Sequence, residues 1–349
     1  MKKTFLICLL CLPALLHAQQ SRLPNSWSID YTTEGLYNVS NGRATWINIL
    51  DAGFVQSLPL GFEFELNLLS VNNLRSSQGR GGVTDGLHIF SDIEDESVPL
   101  SLFLMCLSRQ IGAVTLYAGV RNLNADYFDT PWNSVFTSSV NGLYPCISAN
   151  YPIADSPLSA LALHTEIAIS KGWQLQASLY NGVASDRWDE VFRFRPNRDG
   201  VFVISELSYE GSGDDYLGSY RIGGIWGNPL IESANRKEVK RTLWTLIEQP
   251  LWRGEGNRQV ELILHGGLTP KSECDTYFGG GGLWRGITCD DDYLGAMYTR
   301  SMHSMGNESA YELTYAYPVE AVTIQTALHY VHSPHHDNFI TMVKMVFSL

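Results

Sequence analysis

The chain has 349 residues and a formal net charge of −12 at pH 7, with charged residues at only 17% and aromatics at 11%. Typical soluble domains carry about 25% charged residues, and the acidity argues against a nucleic-acid partner, since phosphate binding rests on clustered Lys and Arg. No stretch beyond the N-terminal segment approaches the roughly 18 to 20 consecutive apolar residues of a spanning helix, so a membrane crossing requires a closed sheet in which every backbone polar group is paired.

Residues 1–18 read as an export signal. Lys2 and Lys3 supply positive charge, residues 5–16 are almost wholly apolar, and Leu16-His17-Ala18 ends on a small residue suited to cleavage. Its removal leaves residues 19–349 as a single domain with a charge of (24 − 2) − 36 = −14. The first strands are expected at 27–37 and 44–55. Phe62, Phe64, Leu66 and Leu68 then alternate with Glu63, Glu65 and Asn67, and such a period of two is a strand signal. A Gly, Ser and Arg-rich loop is expected over 75–86, then strands at 98–111 and 114–123 around Gly112-Ala113. Residues 124–157 lack sustained alternation and are rich in Pro, aromatic and small polar residues. A long irregular connection of this kind is usually functional or mobile.

The clearest hairpin follows. Leu161, Leu163, Thr165, Ile167 and Ile169 fall on one face and His164 and Glu166 on the other. After the tight Lys171-Gly172 turn, Trp173, Leu175, Ala177 and Leu179 alternate with Gln174, Gln176, Ser178 and Tyr180. One face is apolar throughout and the other polar, as in a strand that separates lipid from a wet interior. Further strands are expected at 201–209, 219–227, 243–252 and 259–268. Near the end Tyr311, Leu313, Tyr315 and Tyr317 alternate with Glu312, Thr314 and Ala316, and residues 322–330 and 339–349 repeat the scheme. About fifteen strands are legible. Bacterial single-chain barrels carry even numbers, so the expected fold is an all-β transmembrane antiparallel barrel of sixteen strands with short periplasmic turns and long extracellular loops.

Four cysteines remain after processing, Cys106, Cys146, Cys274 and Cys289, and they allow three pairings. Cys274 with Cys289 is the favoured disulfide, because the two bracket a Gly-rich segment, 278–287, that reads as a loop. The spacing offers no C-x-x-C zinc motif. His329, His332, His335 and His336 suggest a metal cluster, but His329 and His332 differ by an odd number and point to opposite faces of a strand. Glu273, Asp275 and Asp290 to Asp292 read as a solvated acidic loop before they read as a calcium site. Neither metal nor cofactor is expected.

Residues 116–182 resemble the OprB-type carbohydrate-selective porins of Gram-negative outer membranes. The resemblance is carried by Leu116-Tyr117-Ala118-Gly119-Val120, Tyr127-Phe128-Asp129, Leu143-Tyr144-Pro145, Ser148-Ala149-Asn150 and Leu175 to Gly182. Upstream, Ser91-Asp92-Ile93-Glu94 is similar to the family's Ser-Asn-Ile-Glu. Downstream, Gln325-Thr326-Ala327-Leu328-His329-Tyr330 stands where the family has Gln-Pro-x-x-Gln-Tyr, with two positions changed. The similarity is dense over 91–182 and again near the end. It implies a sixteen-stranded barrel in the outer membrane that lets mono- and oligosaccharides diffuse passively, with outer-membrane lipid and the barrel assembly machinery as partners.

A sugar channel needs hydroxyl-matching side chains and flat aromatic faces, with binding weak enough to release solute. The candidates are Arg121, His164, Glu166, Gln174, Gln176, Gln325 and His329 on inward faces. Asp126, Asp129 and Trp132 join them from the long loop, which is expected to fold inward and narrow the pore. The plain alternative for each is contact with lumen water, and for Tyr127, Phe128 and Trp132 it is an interfacial anchor at the membrane rim. Three rivals for the whole chain are a general porin without a sugar site, a barrel enzyme built on a Ser178 and His164 pair, and a soluble sugar-binding β protein.

Overall fold

The computed structural model describes residues 25–75, 83, 84, 86–88, 90, 97–211, 218–231 and 236–348. The export signal and Ser91 to Glu94 lie outside them, as does most of the loop expected at 75–86. Among the described residues sixteen antiparallel strands close into a barrel: β1 (Asn25–Asn38), β2 (Ala44–Leu58), β3 (Phe62–Arg75), β4 (Val98–Ile111), β5 (Val114–Arg121), β6 (Ala160–Ser170), β7 (Trp173–Asn181), β8 (Val201–Glu210), β9 (Ser219–Gly227), β12 (Lys240–Arg253), β13 (Gln259–Leu268), β14 (Cys274–Arg285), β15 (Tyr293–His303), β16 (Gly306–Val319), β17 (Val322–His332) and β18 (Asp337–Ser348). β10 (Leu230–Ile231) and β11 (Arg236–Lys237) form a small separate ribbon between β9 and β12. Pairing of β1 with β18 closes the ring and leaves no free edge.

The outer surface matches a hydrocarbon solvent. Leu163, Ile222, Leu264, Leu313, Leu328 and Val343 are exposed in mid-strand, and an apolar band this extensive is untenable in water. Exposed Trp27, Trp173, Trp252 and Trp284 flank the band at the end with the hairpin turns, and Tyr37, Trp46, Trp226 and Phe339 flank it at the other. These are the two interfacial girdles of a membrane barrel. Tight turns join β2 to β3, β4 to β5, β6 to β7 and β16 to β17 at the first end, while the long connections 122–159 and 182–200 start and finish at the second.

Two expectations are corrected. The Gly-rich segment is part of strand β14, paired on both sides, and Tyr293 to His303 form a strand that alternation did not reveal. Glycines weaken a strand's signature, and here neighbouring side chains use the space. A Cβ on Gly279 would lie 2.1 Å from His265 Nε2, and one on Gly281 would lie 2.9 Å from Met297 Sδ. The same strand rules out the Cys274 to Cys289 disulfide. The two cysteines flank nearly the whole of β14, roughly 3.4 Å per residue, whereas a disulfide needs Cα atoms about 4.4 to 6.8 Å apart. Cys106, Cys146, Cys274 and Cys289 are free thiols. Cys146 and Cys274 share one buried cluster, and Asn150 Nδ2 donates to both their carbonyls, at 2.8 and 2.9 Å.

Candidate functional site

Residues 122–159, between β5 and β6, enter the barrel and cross it as a strap. At the root Asn122 caps a short helical turn (Leu123–Asp126) by accepting the Asn124 N–H, and Pro145 starts a second turn (Pro145–Ser148) where its missing N–H costs nothing. Leu123, Tyr127, Phe128, Leu143, Tyr144 and Ile147 pack on inward residues of the wall, chiefly Tyr180, Phe202, Ile204, Trp244, Leu246 and Tyr277. Each such side chain contributes roughly 1.5 to 3 kcal/mol by burial, which explains inward apolar positions in an otherwise polar lumen. Phe128 adopts φ 65°, strained for a residue with a Cβ. Its ring lies 4.6 Å from Trp244 and 5.2 Å from Tyr144, and that packing offsets the strain.

Tyr127, Phe128 and Trp132 are therefore not anchors at the membrane rim. All three are buried inside the barrel, because the strap folds into the lumen before its aromatic residues can reach lipid. Trp132 packs with Phe136 on Ile263, Leu283 and Met297, so its face is covered and only an edge remains for solute. Asp129 is exposed and accepts the Ser134 hydroxyl at 2.6 Å.

Wall side chains hold the strap at three places. At the root, Arg121 is paired with Asp126, and Asp126 also accepts from Tyr180 Oη at 2.8 Å. Gln176 Nε2 donates to the Asp126 carbonyl at 2.9 Å. Arg121 Nη1 also reaches Glu65 Oε2, 3.9 Å away on β3. Midway, Glu248 of β12 accepts from the Thr130 hydroxyl, the Trp132 N–H at 3.2 Å and the Asn133 N–H at 2.8 Å. At the far side, Glu312 of β16 accepts from the Thr137 N–H at 2.7 Å, the Thr137 hydroxyl at 2.9 Å, and Ser138 N–H and Asn141 Nδ2 at 3.3 Å. Gln325 donates to the Val135 carbonyl at 2.7 Å, and His329 Nε2 lies 3.1 Å from Thr137 Oγ1. Between β5 and β16 the ring has eight strands on one side and six on the other, so the strap spans nearly the full diameter. Carboxylates accepting several N–H groups make strong, charge-assisted contacts.

Alternation placed His164, Glu166, Gln174, Gln176, Gln325 and His329 on the lumen face, and they share it with the buried members of their strands. They do not form one cluster. His164 and Gln176 lie under the strap root, Gln325 and His329 under its tip, and only Glu166 and Gln174 remain half-exposed. His329 is buried while His332 is exposed against Asp337, so the histidines divide between faces as their spacing requires. Sequence reasoning missed Glu248 as an anchor and read Glu312 only as part of a strand. An acid standing on the inward parity of an apolar strand was the available signal.

On the loop side Val83 and Phe90 cover Leu36, Ile47, Leu69 and Val71 of β1 to β3, and nearer the turns the same wall carries half-exposed acids. Asp30 of β1 and Asp51 of β2 stand directly opposite one another on the lumen face, with half-exposed Glu65 on β3. Like charges across a sheet pair are destabilising unless water or a solute screens them. The second inward segment carries His88, 2.7 Å from His303 Nε2 and 3.2 Å from Ser301 Oγ. Burial and the neighbouring His303 hold His88 neutral, down to about pH 3. On the strap, burial pushes the Asp155 carboxyl up to about 6, although Asn124 donates to it at 2.8 Å.

No family model matches the chain, and no curated protein matches it. Solved structures do. OprB of Pseudomonas putida, in its high-pH structure, has a TM-score of 0.76 over 93% of this chain and 94% of its own, at 16% identity. The fold is that of a porin. A loop-deletion mutant of OmpT, an outer membrane protein of Vibrio cholerae, aligns over 94% of this chain and 100% of its own with a TM-score of 0.59 and 8% identity. A triple mutant of the Rh. blastica porin aligns over 93% and 100%, with a TM-score of 0.58 and 9% identity.

Proposed function

We propose that the protein is an outer-membrane channel through which hydrophilic solutes diffuse passively, with a preference for mono- and oligosaccharides. The observation that carries this reading is the strap. A barrel with a lipid-facing exterior and an inward segment tied across its diameter by Arg121, Glu248 and Glu312 is a pore with a built constriction. Half-exposed Asp51, Glu65 and Glu166 present acceptors on the lumen face, and half-exposed Gln174 both donates and accepts. Alternating donors and acceptors suit sugar hydroxyls, and the surplus of carboxylates favours cations among small ions. The similarity to OprB supports the sugar preference.

The reading involves no chemical step. His164 Nδ1 does lie 2.6 Å from Ser178 Oγ, and His164 Nε2 lies 3.3 Å from Glu166. Yet Ser178 is only 3% exposed and shares its hydroxyl with Tyr127, so this chain braces the strap root rather than presenting a nucleophile. The test is single-channel current of the purified protein in a planar bilayer, titrated with glucose and longer oligosaccharides. Discrete steps that sugar reduces saturably are expected. Steps insensitive to every sugar would leave a general porin, and no steps from folded protein would overturn the channel.

A further inference from the structure

The turn-side mouth carries a second polar cavity, of about 480 Å³, that the constriction does not include. Its floor is a row of inward residues on adjacent strands: Arg253 of β12 stands opposite Gln259 of β13, which stands opposite Arg285 of β14, and Arg285 stands opposite Tyr293 of β15. Arg253 reaches this row through an irregularity. Thr242, Trp244, Leu246 and Glu248 point inward at even positions, and a register shift between Pro250 and Trp252 turns odd-numbered Arg253 to the same face. Bulges that re-aim one side chain are typical beside binding sites.

The surroundings are built to hold the cavity's shape. Arg285 Nη2 donates to the Pro131 carbonyl at 2.8 Å, so the strap forms the roof, with the edge of Trp132 beside it. The β14 to β15 turn is pinned by buried Asp292, which accepts from Ile287 N at 2.7 Å, Thr288 N at 2.9 Å and Tyr315 Oη at 3.0 Å. Asp290 and Asp291 on that turn form the rim. Bonding capacity is also left over. Arg285, which lines the cavity, has no hydrogen-bond partner for its buried Nε, and beneath the lining Glu261, two residues further into the barrel than Gln259, is fully buried with none for either carboxylate oxygen. Unused buried donors and acceptors call for a ligand or ordered water.

We propose that this cavity is a second solute station for a neutral polyhydroxylated molecule, such as a pyranose, leaving the pore on the turn side. Among the lining residues Arg253, Arg258 and Arg285 are offset by Glu210, Asp290 and Asp291, so the site has no net positive charge with which to collect an anion. It has interleaved donors and acceptors, and vicinal hydroxyls, which both donate and accept, match that arrangement. The volume lies within the range of small-molecule sites. The lumen as route rests on the channel reading; binding does not.

The test is saturation-transfer NMR of glucose, maltotriose and gluconate with the folded, detergent-solubilised protein. Wild type is expected to bind glucose saturably, and an Arg253→Gln/Arg258→Gln double variant to weaken it about tenfold. Gln259→Ala, which keeps every charge, is expected to weaken it severalfold. No saturable glucose binding by wild type, or undiminished binding by both variants, would overturn the station. Gluconate binding tighter than glucose would overturn its assignment to neutral solutes. Glucose binding by a protein that passes no current would uphold the station while overturning the channel.

Discussion

The two sides of the barrel wall use the same residue type in opposite ways. Under the strap, Glu248 and Glu312 are buried, and Glu248 Oε1 and both Glu312 oxygens accept from strap N–H and hydroxyl groups. On the bare side, Asp30, Asp51 and Glu65 face the lumen half-exposed, with Asp30 and Asp51 directly opposed. An inward carboxylate is thus a structural tie where a loop covers it, and where none does the channel reading makes it a selectivity element. Coverage, rather than the residue, sets the role.

The sharpest way to break this contrast is at the root, where the two sides meet. Arg121 is 4% exposed and paired with Asp126, so Arg121→Ala leaves a buried carboxylate without its counter-ion and is expected to destabilise the protein by about 3 kcal/mol. The urea midpoint for loss of the folded, heat-modifiable band checks this. An unchanged midpoint would make the pair dispensable. On the bare side, the Asp30→Asn/Asp51→Asn variant should leave stability equal or higher and reduce cation preference about severalfold, read as a shift in reversal potential under a salt gradient. No shift would remove this pair from the conduction path. Glu166→Gln is expected to act in the same direction and more weakly, because Glu166 lies only 3.3 Å from His164 and stands on β6, three strands from β3 in the ring.

The smallest effect concerns the other inward segment. An undocked histidine takes up a proton near pH 6.5, whereas docked His88 resists protonation down to about 3. Protonation of His88 therefore favours the undocked form, and the contribution of His88 to docking is lost as pH falls below 6.5. The Leu87 N–H, which donates to Glu308 Oε2 at 2.7 Å, should lose hydrogen-exchange protection between pH 7.5 and 5 after correction for intrinsic rate. His88→Gln should flatten that dependence. Equal protection loss in the variant would assign it to another group.

Much of the barrel was legible because a strand with one lipid face and one wet face writes its period directly into the sequence. Leu163 beside His164, or Tyr311 beside Glu312, fixes which side is which. β14 was not legible because its glycines make room for His265 and Met297, so the pattern belongs to the neighbours. The inward path of the long loop was anticipated from its length and composition. Its ties were not, since pairing Thr137 with Glu312 joins residues far apart in sequence, and nothing local marks which inward acid will be covered. The same absence of local information left Trp132 open between a solute-facing platform and a rim anchor, since its surroundings come from β13, β14 and β15.

The most direct test of the account is the single-channel conductance of a Glu248→Ala/Glu312→Ala variant beside wild type, with and without glucose. Loss of both ties should free the middle and tip of the strap, raise conductance about twofold and weaken sugar block. A folded variant with wild-type conductance and wild-type block would contradict the claim that these carboxylates hold the strap in the passage.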